Sequence, residues 1–287
     1  MPIDRHISAA CPFLLESDVL SLSSAFRLSG TKLCDSRTGI AHRLRAPGEQ
    51  IVQAIVSGNA VHRVRTIALQ QHIRNEQLTE LLGFLNIIGA LERQRSWWRY
   101  MLAWDLRLRD ALLGIRYAPF SWRRQASLLA VGGGVIRASR PVILSIGLVT
   151  GLAAAGGLVH LASVIGLAAF GTSTFVISLL AHEMAHVVII QRYGEAADVL
   201  QRGMRLGIIH RRLNRKAELC SALAGPITGI AYCCMWAASA YWYTPWAAIV
   251  CLLVAAFHCS SWLPWYGDGQ TIREALGSKK DYHELSA

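Results

Sequence analysis

One pentapeptide carries the residue types needed to activate water. His182-Glu183-Met184-Ala185-His186 reads HExxH, and a four-residue separation on a helix sets both imidazoles on one face, where they can share one cation. Glu183, between them, is placed to take a proton from water bound to that cation. Zinc (Zn2+) suits these donors. A zinc ion that does chemistry needs a third protein ligand and one open position. Asp268, in the turn-rich Gly267-Asp268-Gly269, is the favoured third ligand, while His258 and Glu218 compete for the place.

The residues around this motif are apolar. Between Pro141 and Ile190 the only Asp, Glu, Lys or Arg is Glu183, and between Leu219 and Gly267 there is none. A span needs about 20 apolar residues, so each run holds two, with breaks expected near 166–172 and 241–246. Backbone polar groups must be paired inside lipid, which makes these segments helices. A lone carboxylate there is costly and marks a functional site by default. The plainer alternative is a structural pair between Glu183 and a neighbour. The composition agrees with insertion: the 287 residues are 53% hydrophobic with mean hydropathy +0.34.

A net charge of +11 could suggest a phosphate backbone as partner. The placement of the charge favours a bilayer instead. Every Lys and Arg lies before Pro141, from Arg192 to Lys216, or after Gly267. With the N-terminus cytoplasmic, four crossings leave all of them on the cytoplasmic side, as the positive-inside rule requires. Both termini are then cytoplasmic, His186 and Asp268 end on the same face, and nucleic acid is not needed as a partner. The expected location is integral to a membrane, a bacterial cell membrane. The basic connection from Gly194 to Lys216 marks topology, holds anionic headgroups, or forms an amphipathic or re-entrant flap over the cleft. Seven cysteines without a CxxC pair read as small hydrophobes rather than a disulfide framework. No short hydrophobic signal opens the chain, so a cleaved secretory peptide is not expected.

The expected organisation is a small cytoplasmic domain over 1–95, an amphipathic linker over 96–140, a membrane core over 141–270 and a cytoplasmic tail over 271–287. In the front domain a short strand over 39–44 and a turn at Ala46-Pro47-Gly48 lead into a helix bearing Ile51, Val52 and Ile55. A second helix covers 61–70. A third, capped by Asn75, aligns Leu78, Leu81, Leu82, Leu85 and Ile88. This is a small helical domain of helix-turn-helix character. In the linker Trp97, Trp98, Trp104 and Trp122 are interleaved with Arg99, Arg107, Arg109, Arg116, Arg123 and Arg124. That suits a helix lying on the bilayer surface, or one packed on the membrane helices. The segment 128–136 is too short and glycine-rich to span alone and is expected to pack at the interface or re-enter. His160, near the far face, stands outside the chemistry.

These residues resemble the site-2 protease family of intramembrane zinc metalloproteases. The likeness rests on HEMAH in the second span, Ala224-Gly225-Pro226 in the third, and Leu263-Pro264-Trp265-Tyr266-Gly267-Asp268-Gly269 after the fourth. It implies a polytopic α-helical membrane protein whose roughly four transmembrane helices form a site-2-protease-like core. His182, His186 and Asp268 would be zinc ligands and Glu183 the catalytic residue, in an endopeptidase cutting a membrane-associated protein or precursor peptide. The chain departs from the family in having Gly229 and Ser261 where asparagines are common, a shorter step from Pro264 to Asp268, and no PDZ insert. In front, GEQIVQAIVSG followed by LTELLGFLNIIGALER resembles a winged-helix or PqqD-like peptide-recognition domain. That implies contact with a leader peptide or regulatory protein; read as a DNA-binding winged helix, it would use Arg63, Arg65 and Arg74. A catalytically silent membrane receptor or scaffold, and a zinc hydrolase of non-peptide substrates, are the alternatives.

Overall fold

The computed structural model describes residues 11–112, 115, 117–155, 161–242, 244–265 and 267–277. Arg116, His160, Tyr266 and the tail beyond 277 lie outside the described residues. The chain divides into two compact units, Met1–Arg123 with Leu200–Gly203, and Arg124–Val199 with Met204–Ala287.

The first unit is richer in sheet than the sequence reading expects. Strands β1 (Val19–Leu22), β2 (Phe26–Ser29), β3 (Lys32–Asp35) and β4 (Ala41–Arg43) precede helices α1 (Gly48–Val56), α2 (Val61–Gln70) and α3 (Asn75–Ile87). β5 (Leu91–Gln94), α4 (Trp97–Leu112) and β6 (Ser121–Gln125) follow. β2, β3 and β4 form an antiparallel meander in which Leu33 faces Leu28 on one side and His42 on the other. β1 pairs antiparallel with β5. Four-residue strands are too short to show a period. Their apolar residues instead close one core with the helices, where Leu20, Leu33, Ile51, Ile55, Leu85 and Leu91 are fully buried. Of the strands, only the segment ending in β4 was anticipated.

The three helices fall where expected, with one change at a terminus. Asn75 is the first helical residue and Arg74 holds the cap position; the Gln77 Oε1 accepts the Arg74 backbone N–H at 3.0 Å. Arg65, one of the arginines assigned to DNA, is paired with Glu16. Two ion pairs are buried in this unit, Asp18 with Arg95 and Asp35 with Arg123. Burial alone would raise the Asp35 carboxyl. Donors from Thr38 and the Arg37 backbone, together with the Arg123 guanidinium, outweigh it and hold the group below its ordinary value.

The second unit contains α5 (Leu128–Ala155), α6 (Leu161–Arg192), the first half of β7 (Ala197–Arg202), β8 (Arg205–His210), α7 (Arg215–Tyr241), α8 (Pro245–Ser260) and α9 (Gly267–Gly277). α5, α6 and α7 are long and apolar enough to cross a membrane. α5 also leaves large apolar side chains such as Leu144, Leu148 and Leu152 exposed, as a lipid-facing surface does. α8 is apolar but has 16 residues, about 24 Å at 1.5 Å per residue, short of a hydrocarbon core of about 30 Å. Among the described residues, three helices are therefore long and apolar enough to cross.

Two expectations change here, and the basic connection takes a definite form. The break expected at 166–172 is not there, since α6 runs unbroken through those residues. The segment 128–136 is not a separate re-entrant piece but the start of α5, which continues through Pro141. The basic connection, for which a flap is one of the expected forms, folds as β7 and β8 in a three-stranded sheet of order β6-β7-β8. All seven cysteines are free thiols.

Candidate metal centre

α6 presents a buried polar stripe at four-residue intervals, Thr174, Ser178, His182 and His186. One helical face therefore gathers four polar groups away from lipid. His182 and His186 bring their Nε2 atoms within 3.2 Å of each other. Asp268 completes the cluster from the first turn of α9. Its Oδ2 lies 3.3 Å from the His182 Nε2 and its Oδ1 lies 3.4 Å from the His186 Nε2. Every expected ligand joins this group, which could hold a metal ion. Four donors about 2.0–2.1 Å from a tetrahedral zinc stand about 3.3 Å apart, so the observed triangle has the edge length of such a shell.

The loop between α8 and α9 fixes the carboxylate. Gly269 donates its N–H to the Ser261 carbonyl at 3.0 Å, and a β-carbon at 269 would overlap the carbonyl oxygens of Trp262 and Leu263. Glycine is required there by close backbone approach. Ser261, where the resembled family has asparagine, also donates its hydroxyl to the His258 carbonyl at 2.8 Å. At the other end of α9, Arg215 donates to the carbonyls of Ala275 and Leu276, tying that helix to the start of α7.

α7 closes the centre from the opposite side. A β-carbon at Gly225 would overlap the Nε2 atoms of both ligand histidines. Pro226, without an N–H, leaves the Ala222 carbonyl four residues earlier without its helical donor, and Ala222 lines the same cavity. The Ala224-Gly225-Pro226 motif thus combines close approach with a released carbonyl.

The two competing ligands are placed elsewhere. Glu218 uses its Oε1 to accept the Leu213 backbone N–H at 3.0 Å, bracing the entry to α7. His258 is buried and lies against the Nδ1 side of His182, opposite the Nε2 that faces Asp268. Glu183 is 8% exposed and borders a cavity of about 750 Å³ with His182, His186, Asp268 and Ser221. β8 and the turn before it supply Met204, Arg205, Leu206, Gly207 and Ile208 to that cavity. Sequence reasoning missed Ser178 and the strand wall; the signal for Ser178 was its place one turn before His182.

The chain matches no protein-family model, no curated protein and no solved structure. The likeness to site-2 proteases therefore rests on the sequence motifs alone.

Proposed function

We propose that this chain is a membrane-embedded zinc endopeptidase acting on a membrane-associated protein or precursor peptide. The observation that carries the reading is the triangle of His182, His186 and Asp268 beside buried Glu183, the sole Asp, Glu, Lys or Arg of α6 before Arg192. Glu183 lines the same cavity as the three donors, where a general base would meet the attacking water.

When bound, zinc would polarise a carbonyl and acidify a water. The protein side of the reaction follows from its own residues. His182 and His186 offer neutral nitrogen donors, and Asp268 adds the negative charge that retains a dication. Glu183 takes the proton from the attacking water and returns it to the leaving amine as the peptide bond breaks. The apolar flank of α6 limits bulk water, while a site no more than ten residues from the Arg192 end of the helix lies within about 15 Å of that terminus.

Peptide rather than another acyl substrate is favoured by β8. It is an edge strand on the cavity, and an extended segment can add to such an edge through main-chain hydrogen bonds. A helix hides its carbonyls; a segment drawn out along β8 does not. In this reading α8 makes a fourth, short crossing, the basic residues face the cytoplasm, and the first unit recruits a leader peptide or protein partner.

The test is zinc content and hydrolysis of quenched-fluorescence peptides by the purified full chain and its variants. Wild type should bind one zinc. His186→Ala and Asp268→Ala should lose or weaken it, and Glu183→Gln should keep zinc while losing hydrolysis. Full activity in Glu183→Gln refutes the mechanism, and full zinc in Asp268→Ala with loss in His258→Ala reassigns the third ligand.

A further inference from the structure

We propose that His258 is a positioning residue for His182, fixing the tautomer and rotation of that metal donor, and that Gly229 is the vacancy in α7 that admits it. The inference rests on the metal reading of the centre and extends it to residues that no ligand motif contains.

His258 is 1% exposed. Its ring lies beside that of His182 with centroids 5.1 Å apart and planes 25° apart. The two Nδ1 atoms are 3.2 Å apart, and the His258 Nε2 is 3.0 Å from the Ser178 Oγ. The Ser178 hydroxyl in turn donates to the Phe175 carbonyl at 3.0 Å. A cation on the His182 Nε2 gives this chain one direction. The His182 Nδ1 must carry its proton and donate to the His258 Nδ1. His258 is then protonated on Nε2 and donates to Ser178, whose own proton is committed to Phe175. Every buried nitrogen and hydroxyl in the series has one donor or acceptor role and fills it. A metal-bound histidine held through its second nitrogen is oriented and made a stronger donor.

Gly229 supplies the space. A β-carbon there would stand 2.6 Å from the His258 Nδ1 and 2.7–2.8 Å from ring carbons, closer than atoms can pack. Glycine at 229, where the resembled family carries asparagine, thus coincides with an imidazole entering from α8. In this chain the polar group reaches this point from α8, and α7 leaves the space for it.

The test uses the full chain in detergent, with zinc affinity read by chelator competition and ligand geometry by the visible absorption of the cobalt-substituted protein. His258→Leu should weaken zinc about 10- to 100-fold and shift the cobalt bands, while one zinc still binds at saturation. His258→Asn, whose side-chain oxygen can accept from the His182 Nδ1, should recover much of the affinity. Gly229→Ala should weaken zinc in the wild-type background but add nothing to His258→Leu, which identifies the pair even if one variant folds poorly. Wild-type affinity and spectrum in folded His258→Leu overturn the proposal and leave the metal reading intact. Loss of all zinc at saturation in His258→Leu makes His258 a ligand and also overturns it. A wild type that binds no divalent metal ends both readings.

Discussion

Gly225→Ala adds one carbon where two metal donors already sit. That carbon would lie 2.9 Å from the His182 Nε2 and closer still to the His186 imidazole. Neither neighbour can swing aside cheaply, because those nitrogens are the ones that face Asp268. Either α7 withdraws or both rings rotate. Overpacking of this kind costs about 1–3 kcal/mol. If that strain falls on the metal-bound state, zinc weakens by about 5- to 150-fold, at 1.4 kcal/mol per factor of ten. The assay is chelator competition on the purified full chain. Gly151→Ala serves as control, since nothing lies within 4 Å of an added carbon there. A folded Gly225→Ala protein whose zinc affinity stays within twofold of wild type refutes the reasoning, because α7 could not then be packed against both imidazoles.

Three other outcomes are expected. Asp35→Ala removes the carboxylate beside the buried Arg123 guanidinium, 2.9 Å away, and should destabilise the first unit by about 3–5 kcal/mol; proteolysis of the full chain under native conditions measures it, and unchanged resistance refutes it. The folded Asp35 carboxyl is held below its ordinary value, so its contribution is complete above a pH of about 4 and is lost as pH falls through the folded pKa; the acid sensitivity of that proteolysis should disappear in Asp35→Asn. On α4, Trp97, Met101, Trp104, Leu108 and Leu112 form an exposed stripe suited to the bilayer surface. A nitroxide at Met101 in reconstituted protein should be more accessible to oxygen than to a water-soluble relaxant, the reverse of one at Arg109, and equal accessibility at the two sites counts against an in-plane helix. Proline at Leu206 and at Gly207 removes N–H groups that point to opposite edges of β8; one of the two variants should keep zinc and lose at least tenfold in peptide hydrolysis, whereas full hydrolysis in both excludes strand addition.

The amino-acid order alone determined the apolar runs, the isolated glutamate, the paired histidines and the breadth of the basic segments, because each is a matter of spacing or composition along one chain. It also gave α2 and the start of α7's motif, where periodicity and proline act locally. Tertiary structure decided the rest. β1 to β3 and β5 are four residues each and exist through partners that a local window does not contain. Gly166, Gly171 and Thr172 read as a break in the sequence, yet α6 runs unbroken through them, and a β-carbon at Gly171 would meet Val250 of α8 at 3.0 Å; close helix packing, which spacing does not reveal, places that glycine. His258 and Asp268 looked like rivals for one place, since both lie near the end of the last apolar run. Only the fold shows that one faces Nε2 of His182 and the other Nδ1: which side of a ring a neighbour approaches depends on how α6, α8 and α9 cross in space, and spacing along the chain does not contain that angle.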